Sequence, residues 1–358
     1  MKKLIFISTF ILILFACPLS PFPYKSIDES YQRGLHWGGR KIIRVMKQGF
    51  KLYYPWFWKY GSGQDPVFLS FLATTETAHT FNPLTGTKDT VLGECGLLSV
   101  KRKIARHYDI DCCNPKANIW AKSQWRYERI KRIDERYKKY SFYKKMDYAD
   151  RFLFYSIFET YPCFKSKSFA IAKAMQGKRF PDNHPYFVIL NWIKRMGDKL
   201  HDSEYDYCWG RTNPEVAVFR FTRVKAVRDL IIRVYGGGKK GRKRWARCVR
   251  PEIPKPPNKG YPGDKLHGKC CPEWKPSSKG KACWNRWEKP PKYRRKRKKG
   301  KLIDLWAKWC LNESECSYER VFENWKKQKQ AEGLLPSNDE YEQVKKEMKE
   351  RGCWILKD

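Results

Sequence analysis

DPVFLSFLATTE (residues 65–76) is an apolar segment that ends on a glutamate. Its apolar side chains recur at helical spacing, at Val67, Phe68, Phe71 and Leu72. This spacing predicts a buried helix. Asp65 followed by Pro66 is typical of an N-cap and a first helical residue. A carboxyl group in apolar surroundings can act as a proton donor near neutral pH, which makes Glu76 a candidate catalytic residue.

The composition predicts a packed domain and an anionic partner. The chain has 358 residues, of which 41% are hydrophobic, enough to fill a sizeable core. Its 75 Lys and Arg residues against 37 Asp and Glu residues give a formal charge of +38. Such an excess favours a polyanion or an anionic surface as a partner. A solvated basic surface without a partner is the alternative.

The N-terminus indicates export. Lys2 and Lys3 precede an apolar run over residues 4–16, a length typical of a signal-peptide core rather than of a membrane span. The run ends in LFAC, which resembles the lipobox of bacterial lipoproteins and marks Cys17 as the lipid-attachment residue. We therefore expect a periplasmic, membrane-anchored lipoprotein. A conventionally cleaved signal and an uncleaved anchor are the alternatives.

Cysteine usage agrees with export, because removing Cys17 from the 13 cysteines leaves an even number. Cys95 lies in a glycine-bounded turn, and Cys112 and Cys113 directly precede Asn114, so a bridge between the two segments would brace them. The group Cys248, Cys270, Cys271 and Cys283 has no CxxC spacing and no neighbouring His pair. We therefore favour structural disulfides over zinc there and expect no metal site.

The composition changes along the chain. The N-terminal approach segment is aromatic and basic, which predicts irregular structure with a short helix. GGGKKGRKR opens a stretch rich in Pro, Gly and Lys, which predicts an extended segment. Ser337 to Glu340 is a helix-capping signal. We expect a signal segment (1–17), the approach segment (18–63), a largely helical domain (64–200), a basic extension (201–300) and a helical C-terminal segment (301–358).

Three short blocks follow one another around the candidate glutamate. Glu76 and Thr77 begin the first, which continues to Phe81, Asn82 and Pro83. The second is the turn GECGLLSV, with Gly93, Gly96 and Leu97. The third is NPKANI, with Asn114, Pro115, Asn118 and Ile119. In this order they resemble the lysozyme-like lytic transglycosylases, the soluble transglycosylase family. Leu98 and Ser99 stand where that family has Met and Gln. Its later AYN motif has a degraded counterpart at Tyr155, or at Phe158 with Glu159, and we assign neither.

The resemblance covers residues 64–199 and implies a mainly α, lysozyme-like domain, here with a basic, cysteine-containing extension. It implies that Glu76 cleaves the bond between N-acetylmuramic acid and N-acetylglucosamine in peptidoglycan and that a 1,6-anhydro product forms. No cofactor is implied. The resemblance also implies that the glycan is bound by Thr77, Phe81, Asn82, Gly96, Leu97, Leu98, Ser99 and Asn118.

Two other functions remain open on the same residues. A hydrolytic muramidase would use a second carboxylate, for which Asp89 and Glu94 are the candidates. A non-catalytic lipoprotein would bind the wall or another polyanion without cutting it. Partners expected from the sequence are peptidoglycan strands, the membrane through the lipid anchor, and anionic envelope polymers through the basic extension. Nucleic acid fits an exported protein less well, although clustered cations and tryptophans would suit it.

Overall fold

The computed structural model describes residues 42–76, 81, 83, 94–140, 143–144, 146–151, 155, 214–249, 254–262 and 318–353. These residues are mostly helical and contain one small two-stranded sheet, which confirms the prediction of a mainly α fold. Cys17 and the signal segment lie outside the described residues, as do Thr77, Asn82 and Gly93. The lysozyme-like fold and the five-part division of the chain stay predictions.

Helix α1 (Ile42–Tyr60) corrects the expectation of an irregular segment in this part of the chain. Its inward face carries large side chains at helical spacing, and they are buried in the main core, at Met46, Phe50, Tyr53 and Phe57. Pro55 lies inside the helix without ending it. The aromatic residues on this face of α1 are therefore core residues of the domain.

Helix α2 (Pro66–Glu76) packs along α1 and is buried over its first nine residues. It begins as predicted, because the Asp65 carboxylate accepts hydrogen bonds from the backbone N–H groups of Val67 (2.7 Å) and Phe68 (3.3 Å). Its buried hydroxyls bond to backbone carbonyls, for example Ser70 to Met46 of α1 at 2.7 Å. Because these polar groups are hydrogen-bonded, α2 can be buried on all sides.

A short hairpin and two helices follow. Strands β1 (Glu94–Cys95) and β2 (Val100–Lys101) pair antiparallel and enclose the turn at residues 96–99. Helix α3 (Arg102–His107) continues directly from β2, and the long helix α4 (Pro115–Tyr137) packs against β2, α3 and α1. Asn114 caps α4 by accepting from the N–H groups of Lys116 and Ala117.

The C-terminal part contributes to the same core. Helix α5 (Pro214–Tyr235) packs on α2 and α1 and buries Val227 and Ile231. Helix α6 (Gly238–Cys248) corrects the expectation of an extended segment from residue 236, because this Gly and Lys rich sequence is helical. Its Trp245 indole donates to Asp65 at 2.9 Å and so joins α6 to the start of α2.

The last two described helices are α7 (Tyr318–Ala331) and α8 (Asn338–Glu350). The predicted capping signal is present, since Ser337 and Glu340 form a capping box at the start of α8. Helix α8 packs on α1, where the Tyr54 hydroxyl donates to the Tyr341 carbonyl at 2.9 Å. A disulfide between Cys248 and Cys353 joins the end of α6 to the residues after α8, so Cys248 belongs to a structural bridge rather than to a zinc site.

Candidate functional site

Glu76 is the last residue of α2 and is half-buried, directly after the fully buried part of the helix. The apolar helix α2 thus ends at a carboxyl group that is partly exposed to solvent. The C-terminal end of a helix carries a partial negative charge, which disfavours a second negative charge beside it. This end of α2 faces the residues of α4 described below.

The turn between the two strands depends on Gly96. Its φ is +80°, and a Cβ there would overlap the Asn118 amide and the Cys112 carbonyl. Ser99 also has a positive φ of 53°, and its N–H donates to the Gly96 carbonyl at 3.1 Å. The Ser99 hydroxyl donates to Glu94 at 2.8 Å. Ser99 and Glu94 are both half-buried, so this polar pair lies at the accessible side of the turn.

Asn118 fastens the turn to α4. Its carbonyl oxygen accepts from the Leu98 N–H at 2.8 Å, and its amide nitrogen donates to the carbonyls of Cys95 (2.8 Å) and Cys112 (3.0 Å). The residue is fully buried. These bonds use the amide of Asn118 to hold the hairpin, and its assignment to glycan binding stays a prediction.

Other residues assigned to substrate binding are core residues as well. Leu97 and Leu98 are fully buried beneath the turn, and Phe81 is fully buried with a φ of 52°. The Phe81 ring lies so close to Gly49 of α1 that a Cβ on that glycine would overlap it, and the Phe81 carbonyl accepts from Tyr53 at 3.0 Å. Among the described residues that were assigned to substrate binding, Ser99 is half-buried and the others are buried.

The cysteines at the turn form the bridge that the sequence suggested. Cys95 of β1 is disulfide-bonded to Cys112, which lies just before the cap of α4. Cys113 is also in a disulfide. The bridge and the Asn118 amide act on the same two segments, so the hairpin is held to α4 both covalently and by hydrogen bonds.

Lys122 is a site residue that the sequence reasoning missed. It lies one helical turn after Asn118 on α4 and is half-buried. Burial lowers the pKa of Lys122, whereas the negative charges of Glu76 and Glu94 act to raise it. One ammonium group thus interacts electrostatically with both carboxylates. Glu94 of the hairpin and Glu76 of α2 therefore both act on the pKa of this lysine.

Arg126, one turn further along α4, is a second site residue that the sequence reasoning missed. It is buried, its Nε donates to the Gln64 side chain at 3.4 Å, and its guanidinium lies 4.7 Å from the Phe68 ring centroid. Burial and the charge of Arg129 lower the pKa of Arg126 to about 9, with Glu76 acting in the opposite direction. The signal in the sequence was a polar stripe at intervals of four residues along a helix that must pack, namely Asn118, Lys122 and Arg126.

Tyr155 lies in a different cluster. Its hydroxyl donates to Asp134 at 2.7 Å and is 2.8 Å from the Tyr143 hydroxyl. Asp134 is eight residues after Arg126 on α4, about 12 Å along the helix axis. Burial and the neighbouring carboxylate raise the pKa of Tyr155 and Tyr143. The structure therefore does not bring Tyr155 together with Lys122 and the carboxylates.

Comparisons of the chain with protein-family models, with curated proteins and with solved structures found no match. Within the described ranges, no group of three or more His, Cys, Asp or Glu residues is arranged to hold a metal ion. In the same part of the chain, no helix has both the length and the apolar character needed to span a membrane.

Proposed function

We propose that the protein is a peptidoglycan lytic transglycosylase in which Glu76 acts as the general acid and base. The proposal rests on the position of Glu76, which ends a buried apolar helix. Its charge acts on Lys122, as does the charge of Glu94 in the hairpin that contains the disulfide-bonded glycine turn. The order of helix, turn and capped helix follows the three sequence blocks that resemble the lytic transglycosylases. A fixed turn beside a carboxyl group is the arrangement that positions a glycan bond for proton transfer.

The reaction needs one carboxyl group. Glu76 donates its proton to the oxygen that leaves when the bond between N-acetylmuramic acid and N-acetylglucosamine breaks. The resulting carboxylate then takes the proton of the 6-hydroxyl on the muramic acid ring, and that oxygen bonds to C1. The product is a 1,6-anhydro sugar, and the substrate's N-acetyl group stabilises the positive charge between the two steps. No water is consumed.

A hydrolytic muramidase is the second candidate, and one observation favours it. The charge of Glu94 acts on the same lysine as that of Glu76, which makes Glu94 the described candidate for a second carboxylate. Ser99 donates to Glu94 and orients it on the hairpin. In a hydrolase that carboxylate would activate water or attack the sugar, and the product would have a reducing end.

Digestion of purified peptidoglycan followed by mass spectrometry tests both functions. The wild type should release anhydro sugars, and Glu76→Gln should lower the release at least a hundredfold while the protein stays folded. Glu94→Gln is the matched control and should keep the activity. Anhydro release by Glu76→Gln at the wild-type rate would refute the proposal. Reducing ends from the wild type, together with an inactive Glu94→Gln, would establish the hydrolase instead.

The proposed location follows from the sequence. We propose that the protein is exported, carries a lipid on Cys17 and acts from the membrane surface on peptidoglycan strands. A non-catalytic wall-binding lipoprotein would retain peptidoglycan and leave its sugar bonds intact, so the same digestion separates a binder from an enzyme.

A further inference from the structure

Helix α6 has a strongly basic exposed side. Its sequence, GKKGRKRWARC, contains no acidic residue. The residues that face the core are Gly241, Trp245 and Cys248, spaced by four and three positions. All six cations are exposed to solvent, at Lys239, Lys240, Arg242, Lys243, Arg244 and Arg247.

The six cations form one continuous surface, which we call the basic face of α6. At about 100° per residue they cover an arc of roughly 200°, centred opposite the three inward positions. They extend along about 12 Å of helix axis at 1.5 Å per residue. Within the part of the chain that the structure describes, none of them forms an ion pair. Like charges at this density repel one another, and an anionic partner would relieve that repulsion.

The basic face belongs to a firmly attached helix rather than to a free tail. The Trp245 indole donates to the buried Asp65, and the Cys248–Cys353 disulfide fixes the last turn. At the other end the Gly238 N–H donates to Asp147 at 2.7 Å, so a carboxylate already lies at the helix N-terminus. A ligand would therefore contact the side of the helix, where the cations are.

We propose that the basic face of α6 binds a flexible phosphate polymer through its charge alone. Insertion into a bilayer is disfavoured because the apolar side of α6 is buried in the protein and disulfide-bonded. Stacking on nucleobases is disfavoured because the aromatic residue of α6, Trp245, faces inward and is hydrogen-bonded to Asp65. The basic face presents a row of exposed ammonium and guanidinium groups, and the phosphates repeated along a polymer can pair with them. This inference does not depend on the proposed enzyme activity.

The test measures binding of the full chain to fluorescently labelled inorganic polyphosphate over a range of salt concentrations. The variant is Lys239→Gln, Lys243→Gln, Arg247→Gln, which removes one stripe of the basic face. The control is Lys327→Gln, Lys346→Gln, Lys349→Gln. These lysines are also exposed but lie on α7 and α8, among acidic residues. Both variants lose three charges and keep the basic run at residues 293–301, which lies outside the described residues.

We expect the α6 variant to bind at least tenfold more weakly at 0.1 M salt. The slope of log affinity against log salt should fall by about 2, since each lost phosphate contact removes about 0.7. The control should change the slope by less than half as much. Equal effects of the two triple variants would overturn the proposal. Two further results would also overturn it: tighter binding to anionic lipid vesicles than to polyphosphate, and tighter binding to a single-stranded oligonucleotide of equal charge.

Discussion

Replacing Asn118 by alanine tests whether this residue holds the site together or binds the glycan. The substitution removes one acceptor and two donor contacts, which reach the Leu98 N–H and the carbonyls of Cys95 and Cys112. All three partner residues are buried, Cys95 and Leu98 in the hairpin and Cys112 before α4. Leaving a buried polar group unpaired costs about 1–3 kcal/mol.

Three lost contacts therefore predict a loss of about 3–9 kcal/mol in the free energy of unfolding. This is a large part of the 5–15 kcal/mol that is typical of a domain. Asn114→Ala is the matched control, because it removes the same side chain from the same helix four residues earlier. Asn114 accepts two N–H groups as the cap of α4, at a half-buried position. Losing a cap costs about 1 kcal/mol.

Urea unfolding measures both variants, and peptidoglycan digestion at low temperature measures the activity of the folded fraction. We expect Asn118→Ala to unfold at much lower urea than Asn114→Ala and to lose activity even where it is folded, because the glycine turn that the proposed mechanism uses to position the glycan moves. If Asn118→Ala is no less stable than Asn114→Ala and only its KM rises, then Asn118 binds substrate and the structural assignment is wrong.

Three further predictions concern the turn, the start of α2 and the C-terminal bridge. Gly96→Ala should destabilise the protein by more than 1 kcal/mol, measured by urea unfolding, because φ is +80° and the new methyl group overlaps buried atoms. Burial raises the pKa of Asp65 to about 6, so the wild type should lose up to about 3 kcal/mol of stability as pH rises from about 4 to 6. Trp245→Phe removes a hydrogen bond to this carboxylate, so the substitution should lower the free energy of unfolding more at pH 8 than at pH 4. Equal losses at the two pH values would contradict a hydrogen bond from Trp245 to Asp65. Replacing Cys248 and Cys353 by serine opens a 105-residue loop and should lower thermal stability by about 4–5 kcal/mol, measured by calorimetry.

The features that the sequence predicted correctly have local causes. The start of α2 follows from Asp65 and Pro66, because an N-cap needs only a side-chain acceptor two or three residues before the N–H groups that it bonds. The turn followed from Gly96, and the bridge from Cys95 and its partner at the start of α4. In each case the determining residues lie within about twenty positions of one another, and their chemistry allows few alternatives.

The features that the sequence missed depend on distant partners. Helix α1 looked irregular because Pro55 and a run of aromatic residues are unusual in a helix, and only the core that they join explains them. Helix α6 looked extended because Gly and Lys are common in linkers. Its Trp245 is fixed by a carboxylate 180 residues earlier, which no local pattern indicates. Lys122 was missed because a helix facing a core was expected to present apolar side chains there.

The two cations on α4 change what can be inferred about Glu76. A carboxyl group in purely apolar surroundings is suited to donate a proton, and the C-terminal end of α2 acts in the same direction. Lys122 and Arg126 act in the opposite direction, because their positive charges stabilise the Glu76 carboxylate, which in the proposed mechanism accepts the proton from the 6-hydroxyl. A single group that must be an acid and then a base benefits from both influences, and a bound glycan that excludes water strengthens each of them. Since Lys122 also interacts with Glu94, the same charges would suit a pair of carboxylates. The anhydro or reducing end of the product therefore identifies the reaction more directly than any further detail of the helix around Glu76.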